Sequence, residues 1–507
     1  MLAKVKSMSL HGLEGYLVDV QVDVSAGIPC FDIVGLPDIS IKESRERVRT
    51  AIKNSGFNIY SRKILVNLAP ATKKKEGSIF DLPIAIGVLI ANEIIKYNIS
   101  NIVFIGELSL DGSVNKVNGV LPMCIELKKL GIKKIILPRE NAKEASIVTG
   151  IDIVPVSTLE QTVNYLNKNE NIEFQIDSEK KEEEFGSNYI DFSEVKGQKN
   201  IKRAIEVAAS GGHNILMIGS PGSGKTMIAR RIPTILPDLS FEECLEVTKI
   251  HSIAGNLTEK NPIIKIRPFR SPHHTISSVS LIGGGKIPKP GEVSLAHFGV
   301  LFLDELPEFN KHTLEVLRGP LEDGEITIGR NIQVLTYPCK CMLVASMNPC
   351  PCGFYGSEKE CKCTSENIKK YIGKISGPLL DRIDIQVEVN SVKYASLESE
   401  EEEESSIEIQ KRVNKARNIQ KQRYKEYGIF SNSELTPRLI SEFCKLDKEG
   451  KNILRNTFDK LGLSGRAYGR ILKVARTIAD LDESEDIQVY HLLEAIQYRS
   501  LDKKYGI

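Results

Sequence analysis

The sequence predicts a multidomain α/β protein: an N-terminal α+β domain, a central P-loop α/β domain and a C-terminal helical domain. Three observations predict it. The chain has 507 residues, more than one hydrophobic core holds, since cores stop growing at about 250–300 residues. Strand-like and helical runs alternate along most of its length. One glycine-rich loop ending in Lys-Thr stands between an apolar run and a helical pattern, an arrangement that cradles phosphates.

Residues 1–168 carry the strand-like runs "YLVDVQVDV", "CFDIVGL", "KILVNLAP", "NIVFIGELSL", "KKIILP" and "DIVPV", with helical patterns between them. That mixture reads as α+β or α/β. Residues 169–188 are polar and charged and form a linker. Strand and helix signals alternate over 189–390 around two nucleotide motifs. Residues 391–406 include "SLESEEEEESS", an acidic, low-complexity linker expected to be solvated. Residues 407–507 read as helical, most clearly in "RVNKARNIQKQRYKEY" and "RILKVARTIADL". The basic residues Lys411, Arg412, Lys415, Arg417, Lys421 and Arg423 of the first run offer a DNA-binding face, although such helical faces are mostly solvated.

Charged residues are 26% and hydrophobic residues 41% of the chain, the balance of an ordinary globular protein. A formal charge of +2 does not mark a general nucleic-acid binder, so any basic surface must be local. The start "MLAKVKSMSLHGLEGY" lacks a secretory pattern, and the apolar run 82–95 is too short and interrupted to span a bilayer. Ten cysteines in so long a chain read as reduced thiols or metal ligands. A cytoplasmic protein without a membrane partner is expected.

"NILMIGSPGSGKTMIARRI" carries the strongest signal. The apolar run Ile215–Ile218 leads into Gly219, Ser220, Pro221, Gly222, Ser223, Gly224, Lys225 and Thr226. Glycines let backbone N–H groups converge on phosphate oxygens, Lys225 brings a charge to the β- and γ-phosphates of ATP, and Thr226 can ligate Mg²⁺. In "GVLFLDELPEF" a second apolar run delivers Asp304, placed to hold Mg²⁺, and Glu305, placed to orient or deprotonate the attacking water. "MLVASMN" ends in Asn348, which can position that water. Arg382 in "GPLLDRIDI" is a candidate arginine finger, because charge on transferring phosphoryl oxygens needs a fixed cation. Such fingers often act on a neighbour's ATP, so Arg382 implies an oligomer. His273 and His274 in "RSPHHT" have no acid beside them in sequence, and packing or hydrogen-bonding roles are expected.

"NPCPCGFYGSEKECKCT" holds Cys350, Cys352, Cys361 and Cys363 in two C-x-C pairs. Four thiolates can bind a structural Zn²⁺ as a tetrahedron, and Gly353 and Gly356 let the loop fold back. Free thiols in a loop are the alternative. Cys339 and Cys341, just before the strand, read as packing residues.

Together "RPFRSPHHTISSVSLIGGGKIPKPGEVSLAHFGVLFLDELPEF", "LRGPLEDGEITIGR", "NPCPCG" and "GPLLDRIDI" resemble the Mg-chelatase-like AAA+ ATPases of the YifB/ComM family, over essentially the whole chain. The resemblance implies a Lon-protease-like, ribosomal-S5-like N-terminal domain, an AAA+ core with a helix-2 insert, and a helical lid. It also implies a homo-oligomer, a hexameric ring, and DNA as partner, because ComM members are helicases that promote branch migration. It makes Asn348 the sensor 1 residue, Arg382 the finger and Arg466 in "LSGRAYGRI" sensor 2, with Arg470 and Arg476 as weaker claimants. "SLIGGGKIPKPGEVSLAH" then looks like a pore-facing insert, with Lys286 and Lys289 as candidate DNA contacts.

The Lon pattern requires a serine nucleophile and a lysine. Laid on this sequence, it finds Ile79 and Leu121 at those positions, with Ser78 one residue early. An ATP-driven DNA translocase or branch-migration helicase is therefore expected. The alternatives are a magnesium-chelatase-type motor subunit and a protein-remodelling ATPase without protease activity.

Overall fold

A computed structural model describes residues 1–59, 62–97, 99–168, 172, 174, 190–285, 288–330, 333–391, 403–461, 465–499 and 501. The chain divides into two units, Met1–Lys181 with Cys244–Ile264, and Glu182–Glu243 with Lys265–Ile507.

Alternation builds the sheet of the first unit. Val18, Val20, Val22 and Val24 are buried while the residues between them are not, so one face of the strand meets the core. The strands are β1 (Leu2–His11), β2 (Glu14–Ser25), β3 (Cys30–Val34), β4 (Lys63–Ala69), β5 (Ile102–Phe104), β6 (Lys134–Pro138) and β7 (Asp152–Val156), in the order β3-β4-β2-β1-β5-β6-β7. β1–β2 and β2–β4 are antiparallel, and the remaining pairs are parallel.

Helix α1 (Ile39–Asn54) starts at Asp38, whose carboxylate accepts the Ile41 N–H at 2.8 Å, satisfying one of the free donors of the first turn. Helix α2 (Asp81–Ala91) is apolar all round and packs on β1 and β2. Its fully buried Asp81 accepts from Arg47 Nε at 2.8 Å, which makes an interior charge tolerable. Residues Cys244–Ile264 join this unit through the Gly119 N–H, which donates to the Ser252 carbonyl at 3.1 Å, and through the Ser252 hydroxyl, which donates to Glu144.

The second unit is built on five parallel strands: β8 (Ile215–Ile218), β9 (Phe269–Arg270), β10 (Val300–Leu303), β11 (Met342–Met347) and β12 (Ile385–Glu388), in the order β9-β10-β11-β8-β12. Every side chain of β8 and β10 is fully buried, which is why both read as unbroken apolar runs. Such burial stabilises each large apolar side chain by about 1.5–3 kcal/mol. Because the strands are parallel, their C-terminal ends share one edge, where ligands of open α/β sheets gather. An antiparallel hairpin, Glu325–Arg330 with Gln333–Pro338, lies between β10 and β11 in sequence.

Helix α3 (Lys199–Gly211) enters β8. Helices α4 (Ser406–Arg423) and α5 (Gly465–Leu481) pack against α3, and α6 (Val489–Gln497) packs on α5. A capping box between Ser405 and Glu408 starts α4. Beneath these helices, His213 Nε2 lies 2.7 Å from Thr477 Oγ1, and its Nδ1 lies 3.2 Å from Asp384. Among the described residues no helix is long and apolar enough to cross a membrane.

Candidate nucleotide site and cysteine cluster

β8 is followed by Gly219, whose N–H donates to the Met347 carbonyl of β11 at 3.1 Å. The loop then turns through Gly222 (φ +78°) and Gly224 (φ +89°), conformations that only glycine adopts without strain. Lys225 follows at the start of a short helix, and its Nζ donates to the carbonyls of Gly219 (2.7 Å) and Ser220 (3.0 Å) and to Asn348 Oδ1 (3.3 Å). Burial lowers the Lys225 pKa, with Asp304 and Glu305 pulling against that shift. Gln198 braces the loop, donating from Nε2 to the Ser223 carbonyl at 3.0 Å.

β10 delivers Asp304 to the same edge. Thr226 Oγ1 donates to Asp304 Oδ2 at 2.7 Å, the Ser346 hydroxyl donates to Oδ1, and so does the Glu305 N–H at 3.1 Å. A hydroxyl and a carboxylate in contact at the mouth of a phosphate loop are oxygen donors suited to Mg²⁺. Lys225 thus meets Asn348, and the adjacent Thr226 meets Asp304, joining three separated motifs at one sheet edge. The arrangement can gather phosphate charge against a cation and a lysine at a single edge.

Glu305 has φ +53° and a side chain that is 57% exposed. Its Oε2 lies 3.9 Å from His274 Nδ1. The sequence offered no acid near His273 and His274; the structure supplies one from the adjacent strand. The parallel pairing of β9 with β10 is the missing signal, and no local motif contains it. His274 also lines a cleft of about 580 Å³ with Thr275, Ser277, Asn310 and His312.

Arg382 and Arg466 stand elsewhere. Asn214, just before β8, donates from Nδ2 to the Arg382 carbonyl at 2.8 Å, and its own carbonyl accepts from the Asp384 and Ile385 N–H groups. Arg382 therefore sits at the N-terminal edge of the sheet, one strand length from the phosphate loop; four residues span roughly 13 Å. Its guanidinium donates to the carbonyls of Arg318 (3.1 Å) and Pro378 (2.7 Å) and pairs with Glu322. Arg466 lies at this edge too, 3.4 Å from Asp381, and is 68% exposed. Arg470 reaches Asp384 at 3.4 Å, while Arg476 is buried against Asp480.

After Asn348, the sulfurs of Cys350, Cys352, Cys361 and Cys363 all lie within 4.8 Å of one another, and three of the separations are 3.3, 3.7 and 3.6 Å. A Zn–S bond of about 2.3 Å places tetrahedral sulfurs about 3.8 Å apart, so the cluster is compatible with a zinc site. The Phe354 backbone N–H holds the Cys352 thiol down at about 6, toward the thiolate that metals bind, while the Cys361 and Cys363 thiols, despite a backbone N–H each, are pushed up by burial and the neighbouring sulfurs. The loop also touches the nucleotide site. A Cβ on Gly353 would lie 2.5 Å from Pro221 Cδ. Cys339 is buried, with its thiol on the Pro320 carbonyl, a packing residue.

Lys289 is exposed on a short pairing with Gly284, and Lys286 lies outside the described residues. Several charges of the α4 basic run face acids of this chain: Arg412 pairs with Glu206 and Glu404, Lys415 with Glu483, and Arg423 with Asp480. In the first unit Ile79 and Leu121 are both buried.

A family model described as magnesium chelatase, subunit ChlI, matches residues 191–397. A second ChlI model matches residues 20–141, and a ChlI C-terminal model matches 403–499. Competence protein ComM of Haemophilus influenzae is 41% identical, over 99% of this chain and 98% of its own length. The uncharacterized protein YifB of Escherichia coli is 42% identical, with the same two coverages. The magnesium-chelatase 38 kDa subunit of Cereibacter sphaeroides is 24% identical over 39% of this chain and 58% of its own length.

Proposed function

The chain belongs to the YifB/ComM family of magnesium-chelatase-like AAA+ proteins, and we propose that it is a ring-forming ATPase that couples hydrolysis to movement along single-stranded or branched DNA. The observation that carries the ATPase part is the meeting of Lys225, Thr226, Asp304 and Asn348 at one sheet edge. Lys225 and the loop Gly219–Thr226 bind the phosphates. Thr226 and Asp304 hold Mg²⁺, which when bound neutralises phosphate charge. Glu305 takes the proton of the attacking water, and Asn348 orients that water.

Arg382 and Arg466 supply the remaining positive charge, from a second copy. Their edge lies a strand length from their own loop, roughly 13 Å over four residues. A homo-oligomer, a hexameric ring, closes each site with the neighbour's arginines. Lys286 and Lys289 meet the DNA backbone in its channel, and Cys350, Cys352, Cys361 and Cys363 hold a structural Zn²⁺. The DNA-directed part is supported by full-length similarity to a protein named for competence.

The test is ATP hydrolysis by the purified chain with and without forked or four-way DNA. Stimulation by DNA is expected, with turnover lost in Lys225→Ala and ATP retained but hydrolysis stalled in Glu305→Gln. Stimulation by a polypeptide and by no DNA refutes the translocase reading. A chelatase-type motor is the second reading, favoured by the partial similarity to the 38 kDa subunit, and it predicts hydrolysis indifferent to DNA.

A further inference from the structure

We infer that His213 is a positioning residue for Arg382: it joins the turn that carries Arg382 to helix α5, so that the arginines offered to a neighbouring copy stand as one piece. The role rests on the reading above, in which Arg382 and Arg466 serve a neighbour's ATP.

His213 is fully buried and stands just before β8. Its two ring nitrogens face different elements. Nε2 lies 2.7 Å from Thr477 Oγ1 of α5, and Nδ1 lies 3.2 Å from Asp384 Oδ2. Burial pushes the Asp384 carboxyl up, but His213 and the cations around it outweigh burial and hold it below the usual carboxylate range. An ionised carboxylate only accepts, so the imidazole N–H donates to it.

Asp384 closes the turn that begins at Asp381, and α5 grips both of its ends. Arg466 reaches Asp381 at 3.4 Å, and Arg470, about one helical turn on, reaches Asp384 Oδ1 at 3.4 Å. Between them, Asn214 Nδ2 donates to the Arg382 carbonyl at 2.8 Å, and Arg499 donates to the Ile383 carbonyl at 2.7 Å. The exposed Arg466 pair holds little. Removing one partner of a buried, charged hydrogen bond costs more, because the other is left uncompensated. Without His213 the Asp384 carboxylate turns to other partners, and the turn carrying Arg382 moves with it. His213 stands at the N-terminal end of β8, a strand length from its own phosphate loop, so its effect falls on the neighbour's site.

ATP hydrolysis by mixed oligomers of the full chain tests this. In His213→Leu, kcat falls roughly tenfold or more, on the scale of a misplacement of about 1 Å. KM for ATP stays within about twofold, because the phosphate loop is untouched. His213→Gln, whose amide carries a donor and an acceptor, recovers most of the lost rate. Mixed with Lys225→Ala, His213→Leu regains activity, because its intact phosphate loop then meets well-placed arginines. Mixed with Arg382→Ala it regains none, because neither copy offers a placed finger. A purely structural loss is blind to the choice of partner, so equal behaviour in the two mixtures overturns the inference. So does a wild-type kcat in His213→Leu, a Gln variant no better than the Leu variant, or recovery with Arg382→Ala. Should His213→Leu fail to fold, Thr477→Val removes the other half of the joint and is mixed and read in the same way. If Lys225→Ala and Arg382→Ala form oligomers but do not recover each other, the neighbour reading itself fails, and that mixture shows it without any change at His213.

Discussion

Gly353→Ala separates a loop that merely follows the nucleotide site from one that holds it in place. Gly353 has φ +84°, and an added Cβ would lie 2.5 Å from Pro221 Cδ and 2.7 Å from Cγ. Carbon atoms rest at about 3.5–4.0 Å, so one partner must retreat by about 1 Å. If Pro221 retreats, the phosphate loop moves with it. A misplacement of about 1 Å can reduce turnover on the order of 100-fold.

The left-handed backbone adds a penalty of its own, roughly 1–2 kcal/mol for a residue with a Cβ. Gly428 isolates that penalty, since it has φ +66° and an added Cβ there would meet nothing within 4 Å. Gly428→Ala is expected to lower stability by about 1–2 kcal/mol and leave kcat unchanged. Gly353→Ala is expected to lose similar stability and, in addition, roughly 10- to 100-fold in kcat, on the scale set by the displacement. Thermal unfolding and steady-state ATP hydrolysis of both variants give the comparison. Equal kcat in the two, with zinc content unchanged, refutes the claim that the cysteine loop supports the phosphate loop.

The other tests address the second copy and the metal. Arg382→Ala and Lys225→Ala are each expected to abolish hydrolysis, and mixing them regains a fraction of wild-type rate, because an intact loop then meets an intact arginine. No recovery on mixing, with oligomers formed, counts against Arg382 acting on a neighbour. The purified chain is expected to carry about one zinc per copy, four thiolates making one tetrahedral site, and Cys363→Ser to lower both zinc content and turnover. A zinc content near zero in protein never exposed to chelator refutes the metal reading.

Much of the candidate site was legible because it is local in sequence. The phosphate loop lies within eight consecutive residues, and Asp304 and Glu305 directly follow a fully buried strand. Those signals need only a strand end. The four cysteines were legible for the same reason, since their pairs lie within fourteen residues. What the sequence hid is non-local. His274 finds its acid across a strand pairing, Gly353 meets Pro221 from the far side of the domain sequence, and Cys244–Ile264 joins the first unit from within the span read as the ATPase core. The partners of the α4 basic run are non-local too: Arg412, Lys415 and Arg423 pair with Glu206, Glu483 and Asp480.

The first unit raises the question of whether a second chemistry survives there. A Ser–Lys dyad needs a hydroxyl beside a lysine of lowered pKa, and Lys75 comes nearest: it is fully buried, and burial lowers its pKa. Its ammonium, however, donates to the carbonyls of Gly35, at 3.2 Å, and Pro70, holding two loops together. Ser78 directs its hydroxyl to Glu107 instead. At the two positions the dyad would require, Ile79 and Leu121 are packed into the core. A serine at 79 would trade an apolar contact for a hydroxyl in an apolar setting, and a lysine at 121 would bury a charge without a counter-ion; both lose stability before they create a nucleophile. The Ser–Lys dyad of the Lon pattern is therefore not formed at these two positions.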